Sequence, residues 1–217
     1  MTIINLTNVS KSVITGDTSI DIMKGVNLQV SPSEHIAITG PSGSGKTTLL
    51  NIISGLDIPS SGDVSVCGID VSTLGEEDRV RFRDQHISMV FQDFCLFPGL
   101  TPFENVKLFM PHHASRVDCE SILSEVGLSH RMNVMVRHLS GGEKQRVAIA
   151  RAMIKKPKLI LADEPTAQLD KSTAQQVMDL FFHLKQTQNV TLVLITHDLS
   201  VAERCDRVMS LESLCHA

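Results

Sequence analysis

The segment Gly40-Pro41-Ser42-Gly43-Ser44-Gly45-Lys46-Thr47 satisfies every fixed position of the pattern G-x-x-x-x-G-K-[ST]. Glycines at these spacings let the backbone curl until successive N–H groups point inward at phosphate oxygens. A lysine in this place reaches the β- and γ-phosphates of a nucleotide, and the hydroxyl after it ligates magnesium. The spacing therefore predicts ATP and Mg2+ as ligands. The expected phosphate set is Gly40, Pro41, Ser42, Gly43, Ser44, Gly45, Lys46 and Thr47, with Thr48 beside it. A chance glycine-rich turn is the bland alternative. The flanks argue against it, because His35-Ile36-Ala37-Ile38-Thr39 reads as a short strand and residues 47–54 as a helix. A strand before and a helix after are the context the loop needs, and the helix N-terminus faces the same anion.

A second element is Leu159-Ile160-Leu161-Ala162-Asp163-Glu164. An apolar strand that ends in two carboxylates can place them at the C-terminal edge of a sheet, where α/β folds bind ligands. Asp163 is expected to hold magnesium through water. Glu164 is expected to act as general base or to orient the attacking water. Alone, an acidic pair after a strand is a solvated strand end; beside a phosphate loop it gains a role.

A third is Leu139-Ser140-Gly141-Gly142-Glu143-Lys144-Gln145-Arg146, ahead of an evident helix carrying Val147, Ala150 and Ile154 on one face. A serine hydroxyl, two glycines and a helix N-terminus again favour an anion. One phosphate loop does not need a second cradle elsewhere in the same chain, so this one is expected to face another subunit.

The elements that must position these residues read as α/β. Residues 26–30 alternate apolar and polar as a half-buried strand does, and residues 64–66 with Ile69 suggest more strand. The runs 159–162 and 191–195 lack alternation, which suits central parallel strands buried on both faces. Between them, residues 172–186 place Ala174, Val177, Leu180, Phe181 and Leu184 at helical spacing, with Ser172 and Gln175 as a capping box. Strand, helix, strand in that order implies a layered fold. Residues 76–157 read as helix and loop, and are taken as an inserted helical subdomain.

Composition narrows the class. The chain has 217 residues, 42% hydrophobic and 20% charged, enough for one domain with a sizeable core. A net charge of −4 and the absence of Trp and Tyr argue against a nucleic-acid partner, since phosphate neutralisation and base stacking supply most of such affinity. The five cysteines are widely spaced with no C-x-x-C pair, which suggests reduced thiols and a cytoplasmic setting. The N-terminus carries no signal-peptide pattern, and no apolar run approaches ~20 residues. Any membrane role is therefore expected to run through a partner.

Together these motifs resemble the ABC ATPase family over essentially the whole chain. The resemblance implies a P-loop NTPase core with a mixed sheet, an inserted helical subdomain and an antiparallel β subdomain. The expected core is about 1–78 and 158–217, with the helical subdomain at about 79–157, in a single domain of 217 residues. Leu139 to Glu143 looks like the family's signature motif, so Ser140, Gly141 and Gly142 are implied to touch the γ-phosphate of ATP held by an opposing copy in a homodimer. Gln92 resembles the Q-loop glutamine that senses magnesium and the attacking water. Ala167-Gln168-Leu169-Asp170 resembles the D-loop, with Asp170 at the dimer interface. His197 resembles the switch histidine on the γ-phosphate. The implied catalytic set is Glu164, His197, Gln92 and Lys46, and the implied metal set is Thr47, Gln92 and Asp163. Two positions depart from the pattern: Val13 stands where an aromatic ring is expected on adenine, and Gln168 where a small residue or asparagine is common.

Gly55-Leu56-Asp57, Pro59-Ser60-Ser61-Gly62, Arg79-Val80-Arg81-Phe82-Arg83 and Thr101-Pro102-Phe103-Glu104-Asn105-Val106 resemble the bacterial lipoprotein-release and macrolide-efflux group. Lys11-Ser12-Val13 and Ala202-Glu203-Arg204-Cys205-Asp206-Arg207 are similar to its YbbA branch. The group implies an FtsX/MacB-like integral membrane permease as partner, and a peripheral place on the cytoplasmic face of the inner membrane. It also implies force transmission to a hydrophobic or lipid-linked substrate, with Phe94, Leu96 and Phe97 as the expected permease dock. Two other readings stay open: an ATPase that signals through a permease to a cell-wall enzyme, and a non-transport ABC ATPase.

Overall fold

The computed structural model describes residues 2–16 and 18–215, and within the helix that ends at Gln188 it leaves the side chains of residues 184–188 undescribed. The chain opens with a long antiparallel hairpin, β1 (Ile4–Thr15) and β2 (Thr18–Val30), paired from Ile4 opposite Val30 to Thr15 opposite Thr18. Ile4, Leu6 and Val9 are buried, while the hairpin tip is exposed. The alternation read at residues 26–30 belongs to the far end of this longer strand. β3 (His35–Thr39) then leads through the glycine loop into α1 (Lys46–Ile53). β4 (Ser61–Val66) pairs with β1, and the two-residue β5 (Ile69–Asp70) closes a four-stranded antiparallel sheet in the order β2-β1-β4-β5.

α2 (Glu76–His86) runs into β6 (Ile87–Val90). Then come α3 (Pro102–Lys107), α4 (Arg116–Glu125) and α5 (Gly141–Met153). The chain returns through β7 (Leu159–Asp163), α6 (Lys171–Gln188), β8 (Thr191–Ile195), α7 (Leu199–Ala202), β9 (Arg207–Ser210) and α8 (Leu211–Leu214). A second sheet has five strands in the order β6-β7-β8-β3-β9, all its pairings parallel. Parallel and antiparallel pairings thus occupy separate sheets.

The parallel strands are covered on both faces, which is why their sequences do not alternate. Leu159, Leu161, Val193 and Ile195 pack in one core with α1 and the antiparallel sheet. Ile160, Ala162, Leu192 and Leu194 pack in the other with α5 and α6. This second core continues into the helical region through Val106, Cys119, Leu123 and Val147.

Two expectations need correction. The span of about 79–157 is not purely helical, because β6 pairs residue by residue with β7 and joins the central sheet. The short run Ile87–Val90 is buried enough to serve as an edge strand, with α2 directly before it and a turn directly after it. The cap of α6 is Asp170 rather than Ser172: the Asp170 carboxylate accepts from the Thr173 N–H at 3.0 Å, so the helix begins two residues earlier than the Ser172–Gln175 pattern suggested. Asp caps at least as well as Ser. Leu184, assigned to the apolar face of this helix, has its side chain outside the described residues.

Candidate nucleotide site

The phosphate loop joins β3 to α1 at the C-terminal edge of the parallel sheet. Gly43 and Gly45 have φ of 78° and 99°, the left-handed region that L side chains rarely adopt. A Cβ on Gly45 would stand 3.1 Å from the Ile22 carbonyl oxygen, so the loop lies tight against β2. Lys46, 8% exposed, donates from Nζ to the carbonyl oxygens of Gly40 at 2.8 Å and Pro41 at 2.7 Å. An ammonium has three donors, so these two bonds leave one for a ligand.

β7 ends at the same edge and presents Asp163, whose carboxylate accepts from the Thr47 hydroxyl at 2.8 Å. One step further, Glu164 takes φ of 46°, an uncommon conformation for a residue with a side chain. Its N–H donates to the Ile195 carbonyl at 3.0 Å, which turns the backbone out of the strand. The Glu164 carboxylate lies 2.9 Å from His197 Nδ1 and accepts weakly from the His197 N–H at 3.4 Å. An ionised carboxylate only accepts, so this contact is a hydrogen bond when the imidazole carries a proton on Nδ1.

These groups line one cavity of about 570 Å³. Its wall contains Gly40, Ser42, Gly43, Gly45, Lys46, Thr47 and Thr48 from the loop, with Gln92, Asp163, Glu164 and His197 opposite. Pro41 and Ser44 belong to the loop without lining it. Sequence reading missed three further lining residues, Ile22, Ala167 and Ile195. None carries a chemical signal, and only the approach of β2, of the segment after β7 and of the end of β8 brings them there. Val13 sits opposite Ile20 in the hairpin, two residues along β2 from Ile22, where the pairing of β1 with β2 shifts register.

Ser140, Gly141, Gly142 and Asp170 do not line this cavity. Ser140 caps α5: its hydroxyl accepts from the Glu143 N–H at 3.3 Å while its own N–H donates to the Glu143 carboxylate at 2.8 Å. That N–H, foremost, and the hydroxyl hold the Glu143 carboxyl below the usual range. Gly142 lies so close to α6 that a Cβ would come within 2.3 Å of the Thr173 methyl. The signature helix is thereby clamped against the start of α6, with Ser140 left exposed at its tip.

The residues fit a nucleoside triphosphate with magnesium. Ser44 Oγ is buried without a hydrogen-bond partner, a polar atom inside the phosphate loop with capacity to spare. Thr47 and Asp163 bring two oxygen donors together. No group of three or more His, Cys, Asp or Glu is placed to hold a metal among the described residues. Mg2+ typically takes one or two protein oxygens and completes its shell with phosphates and water, so a pair suffices.

Residues 23–167 match the family described as ABC transporter. The chain is 44% identical to the macrolide export ATP-binding/permease protein MacB of Rhodopirellula baltica, covering 96% of this chain but 32% of that protein. It therefore spans about a third of that relative's length. It is 42% identical to the ABC transporter ATP-binding protein YbbA of Escherichia coli K12, covering 96% and 94% of the two chains. Identity to the lipoprotein-releasing system ATP-binding protein LolD of Hydrogenovibrio crunogenus is 43%, covering 96% and 93%. Among solved structures, the ATP-binding cassette MJ0796, a dimer in a post-hydrolysis state bound to ADP and Pi, superposes with a TM-score of 0.88 at 38% identity, covering 95% of this chain and 93% of that one. With the phosphate loop, the paired carboxylates and the capped signature helix in place, the chain belongs to the ABC transporter family and is an ATP-binding, ATP-hydrolysing cassette.

Proposed function

We propose that two copies of this chain close head to tail around ATP and drive an FtsX/MacB-like permease from the cytoplasmic face of the inner membrane. The observation that carries this reading is the division of the chemistry. One cavity collects the phosphate loop, Asp163, Glu164, Gln92 and His197, while the exposed Ser140 at the tip of α5 stands outside it. A second copy supplies the missing donor. The dimeric state of the MJ0796 cassette supports the arrangement.

In this reading Lys46 and the loop N–H groups bind and orient the phosphates. Thr47 and Asp163 hold Mg2+, with Gln92 beside them, and the metal supplies charge neutralisation for the transferring phosphoryl group. Glu164 takes the proton of the attacking water at its carboxylate, and His197 fixes that carboxylate through Nδ1. Asp170 holds the start of α6 at the dimer face. Insertion of Ser140→Arg is expected to leave ATP binding intact and to abolish ATP-dependent dimerisation. Sedimentation of the variant in a Glu164→Gln background checks it, and a dimer that forms as before counts against the sandwich.

For the permease, no helix among the described residues is long and apolar enough to cross a membrane. The chain does present a groove of about 390 Å³ lined by Val80, Phe91, Phe97 and Phe109, with Arg83 and Arg151 at its sides. Val80, Phe97 and Phe109 are 52%, 49% and 40% exposed, which suits a docked apolar helix end. Asn105 is fully buried and holds Phe97 at both its N–H and its carbonyl, so the ring is presented on a rigid backbone. Replacing Phe97 by Ala is expected to cut permease-stimulated ATP turnover. Unchanged stimulation in reconstituted membranes would remove the dock. Extraction or export of a hydrophobic or lipid-linked substrate is the favoured use, on the strength of similarity to the MacB and LolD proteins.

A further inference from the structure

Four consecutive residues after β7 each touch a different part of the machine. Ala167 lines the nucleotide cavity. Gln168 donates from Nε2 to the Asp93 carboxylate at 2.6 Å. The side chain of Leu169 would lie 3.3 Å from a Cβ on Gly141, in contact with the tip of the signature helix. Asp170 caps α6 through the Thr173 N–H and hydroxyl.

Asp93 follows Gln92 directly in the turn after β6. Beyond it the backbone is held elsewhere. Phe94 and Cys95 adopt φ of 56° and 48°, a conformation that persists in residues with side chains only where the surroundings enforce it. Arg151, 6% exposed on α5, enforces it by donating to both of their carbonyl oxygens. Burial pushes the Arg151 guanidinium below its ordinary value, yet it stays charged, since its ordinary value lies so far above neutrality. Asn105 fixes Phe97. The stretch 94–97 is therefore anchored to the helices, and Asp93 joins it to Gln92, which lines the cavity.

We propose that Gln168 and Asp93 form a latch that positions Gln92 and ties the segment facing the partner copy to the loop joining cavity and groove. Gln168 is suited to this by length. Its amide sits one methylene further out than that of asparagine, and the bond it makes spans two separate loops. An acceptor that is a carboxylate makes the bond stronger than a neutral pair. Displacement of residues 167–170 by a second copy is then felt at Gln92 within the same chain. Gln168 and Asp93 act through Gln92 and are positioning residues. The latch rests on the reading of Gln92 as a member of the ATPase site.

The test is a double-mutant cycle on steady-state ATP hydrolysis by the full chain. Gln168→Ala and Asp93→Ala are each expected to lower kcat by about 10- to 100-fold, the range that loss of one hydrogen bond to a charged group supports, with KM for ATP unchanged. The double variant should be no slower than the slower single, because one bond is lost in all three. Asp93→Asn keeps an acceptor oxygen and should retain most of the wild-type kcat. Single losses that multiply in the double variant overturn the latch, as do single variants at wild-type rate or a rise in KM without loss of kcat. An active Glu164→Gln protein, run in parallel, would instead remove the site reading itself.

Discussion

Glu164→Gln is expected to lower kcat by about 10²- to 10⁴-fold, the contribution of a positioned general base, with ATP affinity preserved. The geometry makes this substitution unusually clean. The carboxylate is held by the His197 ring at 2.9 Å, and the backbone by Ile195 at 3.0 Å. A glutamine oxygen can accept the same histidine N–H, so shape and position persist while the proton acceptor for water is lost. The uncommon φ of 46° at this residue is a backbone property and is unaffected by the change. Phosphate release under saturating ATP measures the effect, and nucleotide binding by fluorescence separates it from loss of affinity. Turnover within tenfold of wild type would show that another group takes the proton.

The second large effect is expected at Lys46. Its ammonium is almost fully buried and bonded to two carbonyls of the loop that it serves. Lys46→Ala removes the charge that faces the phosphates and leaves the Gly40 and Pro41 oxygens without their donor. Hydrogen bonds to charged groups contribute about 1.5–3 kcal/mol each. ATP affinity should therefore fall by about 10- to 100-fold, measurable by isothermal titration. The contrast with Glu164→Gln is the informative part. One variant binds and does not turn over, whereas the other fails at binding. If Lys46→Ala bound ATP as wild type does, the loop would not be the phosphate cradle.

Much of this was legible in the chain itself, for reasons that differ by element. The loop from Gly40 to Thr47 is legible because its chemistry is done by backbone N–H groups, and only glycines at fixed spacing allow the required curl. The runs 159–162 and 192–195 are legible because a strand covered on both faces is apolar at every position along its middle. β6 was harder to see. Ile87–Val90 is four residues long, preceded by helix and followed by a turn, and nothing local distinguishes it from loop until it pairs with β7. The start of α6 was misjudged for a related reason: Asp170 and Ser172 both cap helices well, and where the chain turns decides between them.

The amino-acid sequence by itself determined the nucleotide-binding chemistry and the family, because a phosphate cradle needs glycines and a lysine at short fixed spacing along the chain. Only the tertiary structure decided which of those atoms share a cavity. Lys46, Thr47, Gln92, Asp163, Glu164 and His197 come together because the parallel strands β3, β6, β7 and β8 end at one edge. Ser140 stays apart because Gly142 docks its helix against Thr173 on α6. The bond from Gln168 to Asp93 depends on the approach of two loops distant in sequence. Local spacing cannot encode such a contact, since it arises from packing of the sheet and helices that carry the loops.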